Sequence, residues 1–262
     1  MSSLLEASEE LNKKLEDCLT DLKMSLGVDH PDTLLVMNNL ALHYFNQGDY
    51  NLSEAMNLEC LEKRRQVLGA DHPETLKTMN NLANTYCKQG KHTLAEPILV
   101  NCVARMKVVL GADDPIVLSL MNNLGHAYML GEKYTEAKPV FMECLMKRKE
   151  LLGADHPDSI SALQDLAENS TFLGNILLAE LLLKDCLERT RRVHGPDHEI
   201  TFDAMNNLSS HYSAHYKYDL AEPLLVECVC RMKRVLGTKH PATLQTKNNL
   251  KILRQNIVLA PM

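Results

Sequence analysis

Tryptophan is absent from this chain, and aromatics make up only 5% of its 262 residues. With 45% apolar residues, a core has to be assembled from Leu, Met, Val, Ala and Cys. Long apolar runs are missing as well. None approaches the roughly 18–20 residues a membrane span needs, and the richest stretch, Ile176 to Leu183, is short and carries Glu180. There is no surplus of positive charge: the net charge of −6 speaks against nucleic acid and against anionic lipid as partners. The start, Met1-Ser-Ser-Leu-Leu-Glu, lacks the basic cluster and apolar stretch of a secretory signal. No glycine-rich phosphate loop occurs, and no His, Cys and acidic residue form a recognisable nucleophile pattern. The expectation is a soluble, cytoplasmic protein without cofactor, metal, small-molecule substrate or catalysis.

What the chain does have is a repeat. Asn-Asn occurs at 38–39, 80–81, 122–123, 206–207 and 248–249, and Gln164-Asp165 fills the gap, so the step is 42 residues throughout. The same step links Gly27, Gly69, Gly111, Gly153, Gly195 and Gly237, and also Cys18, Cys60, Cys102, Cys144, Cys186 and Cys228. His30-Pro31, His72-Pro73, Asp114-Pro115, His156-Pro157, His198-Glu199 and His240-Pro241 keep it too. A fixed period without insertions marks a solenoid.

Each unit reads as two helices. Met37, Leu40, Ala41 and Tyr44 form one apolar stripe. A break follows at Gln47-Gly48-Asp49, and a second helix runs from about Leu52 to Leu68 with Met56, Cys60, Leu61 and Leu68 inward. Gly69 closes it in the role glycine plays past a helix C-terminus, and Pro73 opens the next helix at its first turn. No strand signal is present. Five pairs are expected at about 31–68, 73–110, 115–152, 157–194 and 199–236, flanked by capping helices at 1–26 and 241–257, in one array over 1–262. At the far end the stripe reads Lys247, Leu250, Lys251, Arg254, basic at three of four positions, as a polar solenoid cap would be.

Met37-x2-Leu40-Ala41-x2-Tyr44, followed by Ala95-x3-Leu99 or Ala137-x3-Phe141 in the second helix, resembles the tetratricopeptide repeat pattern. The longer unit, Gly-x-x-His-Pro-(Asp/Glu)-Thr followed by Asn-Asn-Leu-Ala, is similar to the 42-residue variant of kinesin light chains. The resemblance implies an all-α, right-handed α-solenoid (superhelix) of antiparallel helix pairs. It further implies an adaptor whose concave groove, lined by first helices, holds an extended peptide of a partner protein, possible cargo included. The heptad coiled coil of a kinesin light chain is lacking.

With 37, 40, 41 and 44 packed inward, helical geometry places 35, 38, 39, 42 and 46 on a second face. Asn is a mediocre helix former, but its amide both donates and accepts, which suits gripping the main chain of a ligand. The alternative is that the amides bond to neighbouring helices and fix repeat stacking. In related repeats the second Asn, here Asn39, Asn81, Asn123 and Asn207, matches a position that touches ligand. The candidate peptide-binding set is Asn39, Lys77, Asn80, Asn81, Asn84, Lys88, Asn122, Asn123, His126, Asn206 and Asn207. Lys77 and Lys88 make the groove basic near the second repeat, and Asp165 to Asp203 make it acidic further on, so a bound peptide is expected to run from an acidic to a basic end. A structural or oligomerisation module and a regulatory sensor segment remain as alternative functions.

One cysteine per layer, with layers about 8–10 Å apart, suits neither a disulfide nor a tetrahedral zinc site; buried, reduced thiols are expected, with Cys87 alone placed in the groove. The histidines before proline also recur once per layer and are expected to serve helix starts beside Asp71, Asp155 or Asp197. Basic clusters such as Lys63-Arg64-Arg65 and Arg189-Thr-Arg191-Arg192 fall near second-helix ends, where cations complement the helix dipole. The fourth repeat is degenerate: Ser170 stands where the stripe has Tyr.

Overall fold

The computed structural model describes residues 2–259, with side chains from 10 to 258. The described residues form twelve helices: α1 (Ser2–Ser25), α2 (Pro31–Gln47), α3 (Tyr50–Leu68), α4 (Pro73–Lys88), α5 (His92–Leu110), α6 (Pro115–Leu130), α7 (Tyr134–Leu152), α8 (Pro157–Phe172), α9 (Ile176–His194), α10 (Glu199–Ala214), α11 (Tyr218–Val235) and α12 (Pro241–Leu259). The fold is an all-α solenoid of helix pairs. Even-numbered helices through α10 are the first members of pairs and the odd-numbered ones that follow are the second. α1 is of the second type and α12 of the first.

Two compact units divide the chain at Val140 and Phe141. In the first, each helix from α1 to α6 packs on the next, and α4 also touches the first-type helices α2 and α6. In the second, α8 to α12 pack in the same sequential way. The anticipated stripe is the core: Met37, Leu40, Ala41 and Tyr44 are buried, as are their counterparts Met79, Leu82, Ala83 and Tyr86. The second helices answer with Ala95 and Leu99, or Ala221 and Leu225, all buried. The first pair departs from this pattern. Ser53 and Asn57 sit at those positions, buried, and bond to one another: Asn57 Nδ2 donates to Ser53 Oγ at 3.3 Å, and that hydroxyl lies 3.1 Å from Thr85 Oγ1.

The histidines at the first-helix starts cap the helices themselves. Nδ1 of His30, His72, His156 and His198 accepts the backbone N–H two residues on, each at 3.2 Å, and Asp114 Oδ1 does so at 2.8 Å. Each satisfies one orphan donor of the first turn. The neighbouring aspartates do something else, tying the loop to the pair's second helix. Lys63 reaches Asp29 at 3.1 Å, Arg105 reaches Asp71 at 2.6 Å, Arg189 reaches Asp155 at 2.8 Å and Arg231 reaches Asp197 at 3.0 Å. The basic clusters are thus ion-paired within repeats and do more than complement the helix dipole. Each closing glycine holds a left-handed φ, +89° at Gly69 and +91° at Gly111, where a side chain would be strained. In the fourth repeat Ser170 is buried and turns its hydroxyl back to Leu166 O at 2.7 Å.

Candidate functional site

The paired asparagines divide their labour. Asn38 is buried, not on the open face where helical geometry placed it. A neighbouring first-type helix covers it: its Oδ1 accepts from Asn81 Nδ2 at 3.1 Å and from the Thr78 hydroxyl at 3.3 Å. The next step repeats the link, with Asn123 Nδ2 donating to Asn80 Oδ1 at 2.9 Å. So the first Asn of one repeat accepts from the second Asn of the next, a clasp between α2 and α4 and between α4 and α6. In the second unit Asn206 Nδ2 donates instead to Thr246 Oγ1 at 3.2 Å. Asn122 is half-buried, with its Oδ1 enclosed and unbonded. Asn39 is exposed.

Around the clasp α4 and α6 leave a cavity of about 300 Å³ in the first unit. Lys77, Asn80 and Asn123 reach it from the two helices, with Ser119 on the rim and Met106 below. Three of the sequence-derived residues therefore converge. Asn84 lies beside Asn81 in a much smaller cavity of about 30 Å³. Lys88 is exposed in the last turn of α4, and His126 is half-buried on α6. Cys87 is half-buried, and burial pushes its thiol above the ordinary range, away from the thiolate a nucleophile requires. The buried thiols go the same way, Cys102 to about 12.

The second unit has its own cavity, about 390 Å³, between α8 and α10 with Leu183 of α9 behind. Asn207 lines it beside Gln164, Glu168, Ser210 and His211. Sequence reasoning missed His211. Its signal was variation at one register position, which reads His43, Thr85, Ala127, Asn169 and His211 along the chain. The ring is buried, and neither nitrogen meets hydrogen-bond geometry. Burial, and next the nearby His215, hold its pKa below 6.5. A folded-state pKa below the unfolded value means that the unfolded chain takes up more protons, so this stability is full above pH 6.5 and falls as pH drops below it. Melting of the wild type is expected to shift down between pH 7.5 and pH 5.5 more than melting of His211→Asn; equal shifts would remove His211 as the cause.

Arg64 was also missed. It is buried, donating Nη1 to Glu74 O at 2.7 Å and to Thr78 Oγ1 at 2.8 Å and pairing with the Glu74 carboxylate at 3.0 Å. Thr78 in turn donates to Asn38, so the buried member of that basic cluster supports the clasp from below.

Among the described residues no three His, Cys, Asp or Glu side chains gather to hold a metal ion, and no helix is long and apolar enough to cross a membrane. The family model of the tetratricopeptide repeat matches residues 32–107, 77–145 and 116–191, and a second model of that repeat matches 201–242. No curated protein matches the chain by sequence. Among solved structures, a putative kinesin light chain of P. anserina with nearly identical TPR-like repeats is 21% identical over 78% of this chain and 97% of its own, with a TM-score of 0.72. BtubC (BKLC) of P. vanneervenii is 17% identical over 90% and 94%, at 0.73. A Rap protein complexed with competence and sporulation factor is 12% identical over 91% and 69%, at 0.61.

Proposed function

Because the chain belongs to the tetratricopeptide repeat family, its work rests on helix faces, and we propose that it is a non-catalytic cytoplasmic scaffold holding an extended segment of a partner protein against its first-type helices. The observation that carries this reading is the cavity of about 300 Å³ where Lys77, Asn80 and Asn123 meet. Amides offer main-chain contacts there, and Lys77 with the exposed Lys88 favours an acidic segment. In the second unit Glu168, on the rim of the other cavity, and exposed Asp203 favour a basic one. One similar fold carries the name putative kinesin light chain, and the Rap protein is seen with a bound factor; a cargo-adaptor role accords with both. The Asn38–Asn81 clasp favours a structural use for the buried amides alone.

The test is a peptide-library screen on the wild type and on Lys77→Glu/Lys88→Glu, both shown folded by circular dichroism. The wild type is expected to enrich acidic peptides, and the variant to bind them about tenfold more weakly, equivalent to about 1.4 kcal/mol. Unchanged affinity refutes the charge assignment, and no enrichment by either protein refutes the groove.

A further inference from the structure

Two contacts recur in register, one within repeats and one between them. A second-helix cysteine donates Sγ to the carbonyl 26 residues earlier on its own first helix: Cys60 to Leu34 at 3.4 Å, Cys102 to Leu76 at 3.1 Å and Cys228 to Phe202 at 3.7 Å. A cation near the end of a second helix pairs with an acid 36 residues later on the following second helix: Lys23 with Glu59 at 3.1 Å, Lys149 with Asp185 at 3.9 Å and Arg191 with Glu227 at 2.9 Å.

At the two ends both contacts lack a partner, and in complementary ways. Leu34, Leu76, Leu118, Ile160 and Phe202 are buried by their second helices, but Leu244 of α12 is 51% exposed. Cys60, Cys102, Cys144, Cys186 and Cys228 are buried, but Cys18 of α1 is exposed. Leu11 is 45% exposed where Ala95 and Ala221 are buried. The face of α1 is thus less polar than a cap requires. Lys233, Lys247 and Lys251 make no ion pair among the described residues, and neither do Asp17 and Asp21.

We infer that α1 of a second copy docks on α12, so that two half-repeats complete one. In that register Cys18 of the second copy falls on the Leu244 carbonyl, and Asp17 of the second copy falls on Lys233. The groove left along α11 and α12, about 1030 Å³ and lined by Leu244, Leu250, Lys233, Lys247 and Lys251, is where Leu11 and Leu15 would lodge. Charge selects this occupant. α1 carries Glu6, Glu9, Glu10, Glu16, Asp17 and Asp21 against Lys13, Lys14 and Lys23, a net −3. α12 carries Lys247, Lys251 and Arg254 and no acid, a net +3. Lysines at core positions would be stranded under a neutral helix; their stems can cover leucines while their ammonium groups reach carboxylates. The contact is heterologous, leaving the same two faces free at either end of the assembly, so it propagates.

Sedimentation of the wild type is expected to show a weight-average mass that rises with protein concentration and falls with added salt. Leu244→Glu is expected to abolish the growth. Lys233→Asp is expected to weaken it about threefold, within the range of a single exposed pair, and Asp17→Lys in the same chain to restore it. In Cys230→Ser/Leu244→Cys, mild oxidation is expected to link copies through Cys18 and residue 244, identified by peptide mass mapping. A monomer at every concentration up to the solubility limit overturns the inference, as does cross-linking confined to Cys18 with Cys18. Circular dichroism of each variant separates loss of docking from loss of fold.

Discussion

Replacing Arg64 by Ala is expected to lower stability by about 3 kcal/mol, from the void left by a buried side chain together with its lost hydrogen bonds, whereas Arg64→Met recovers most of the loss. The guanidinium supports three groups at once: Glu74 O, Thr78 Oγ1 and the Glu74 carboxylate. Alanine leaves a void and removes a charged donor from Glu74 O and Thr78 Oγ1, which keep their bond to each other at 3.0 Å. Methionine refills the volume, and the molecule already uses it there: the register position of Arg64 is occupied by Met106 and Met232, both buried. Glu74 is 40% exposed, so its carboxylate falls back on water when the arginine goes. Chemical denaturation of both variants reads the difference. A Met variant as unstable as the Ala variant would mean that the hydrogen bonds dominate over packing. The neighbouring exposed Arg65, changed to Ala, is expected to stay within about 0.5 kcal/mol of wild type.

Asn38→Ala and Asn39→Ala are expected to differ sharply, although the residues are adjacent and identical. The first removes an acceptor from two donors, Asn81 Nδ2 and Thr78 Oγ1, in a site closed to water, at about 2 kcal/mol. The second removes an exposed amide and is expected to change stability by less than about 0.5 kcal/mol. Thermal melts of the two variants decide this. Equal losses at both positions would favour a purely structural ladder and weaken the groove reading.

Much of this architecture is legible in the primary structure, because a solenoid is close to one-dimensional. A step of 42 residues, a stripe at i, i+3, i+4, i+7, glycine past each second helix and proline at the first turn are all local signals. Each helix meets chiefly its neighbours in sequence. Twelve helices therefore followed from spacing alone, and so did the burial of the Cys60 series. The aspartates at the loops were visible too, but not that arginines 34 residues later would take them.

Local periodicity could not decide which of two adjacent amides is hidden. A helix offers Asn38 and Asn39 at about 100° from one another, and only the packing of α4 beside α2 closes one and leaves the other open. The same holds for Lys63-Arg64-Arg65, a run of like charges in sequence, of which the middle member is buried and its neighbours are not. Nor could sequence show that Lys77, Asn80 and Asn123 share one cavity, since that needs two first-type helices side by side. Periodicity dictates which positions of a repeat face inward, while the depth and chemistry of the spaces between helices depend on side-chain volumes from several repeats packed together.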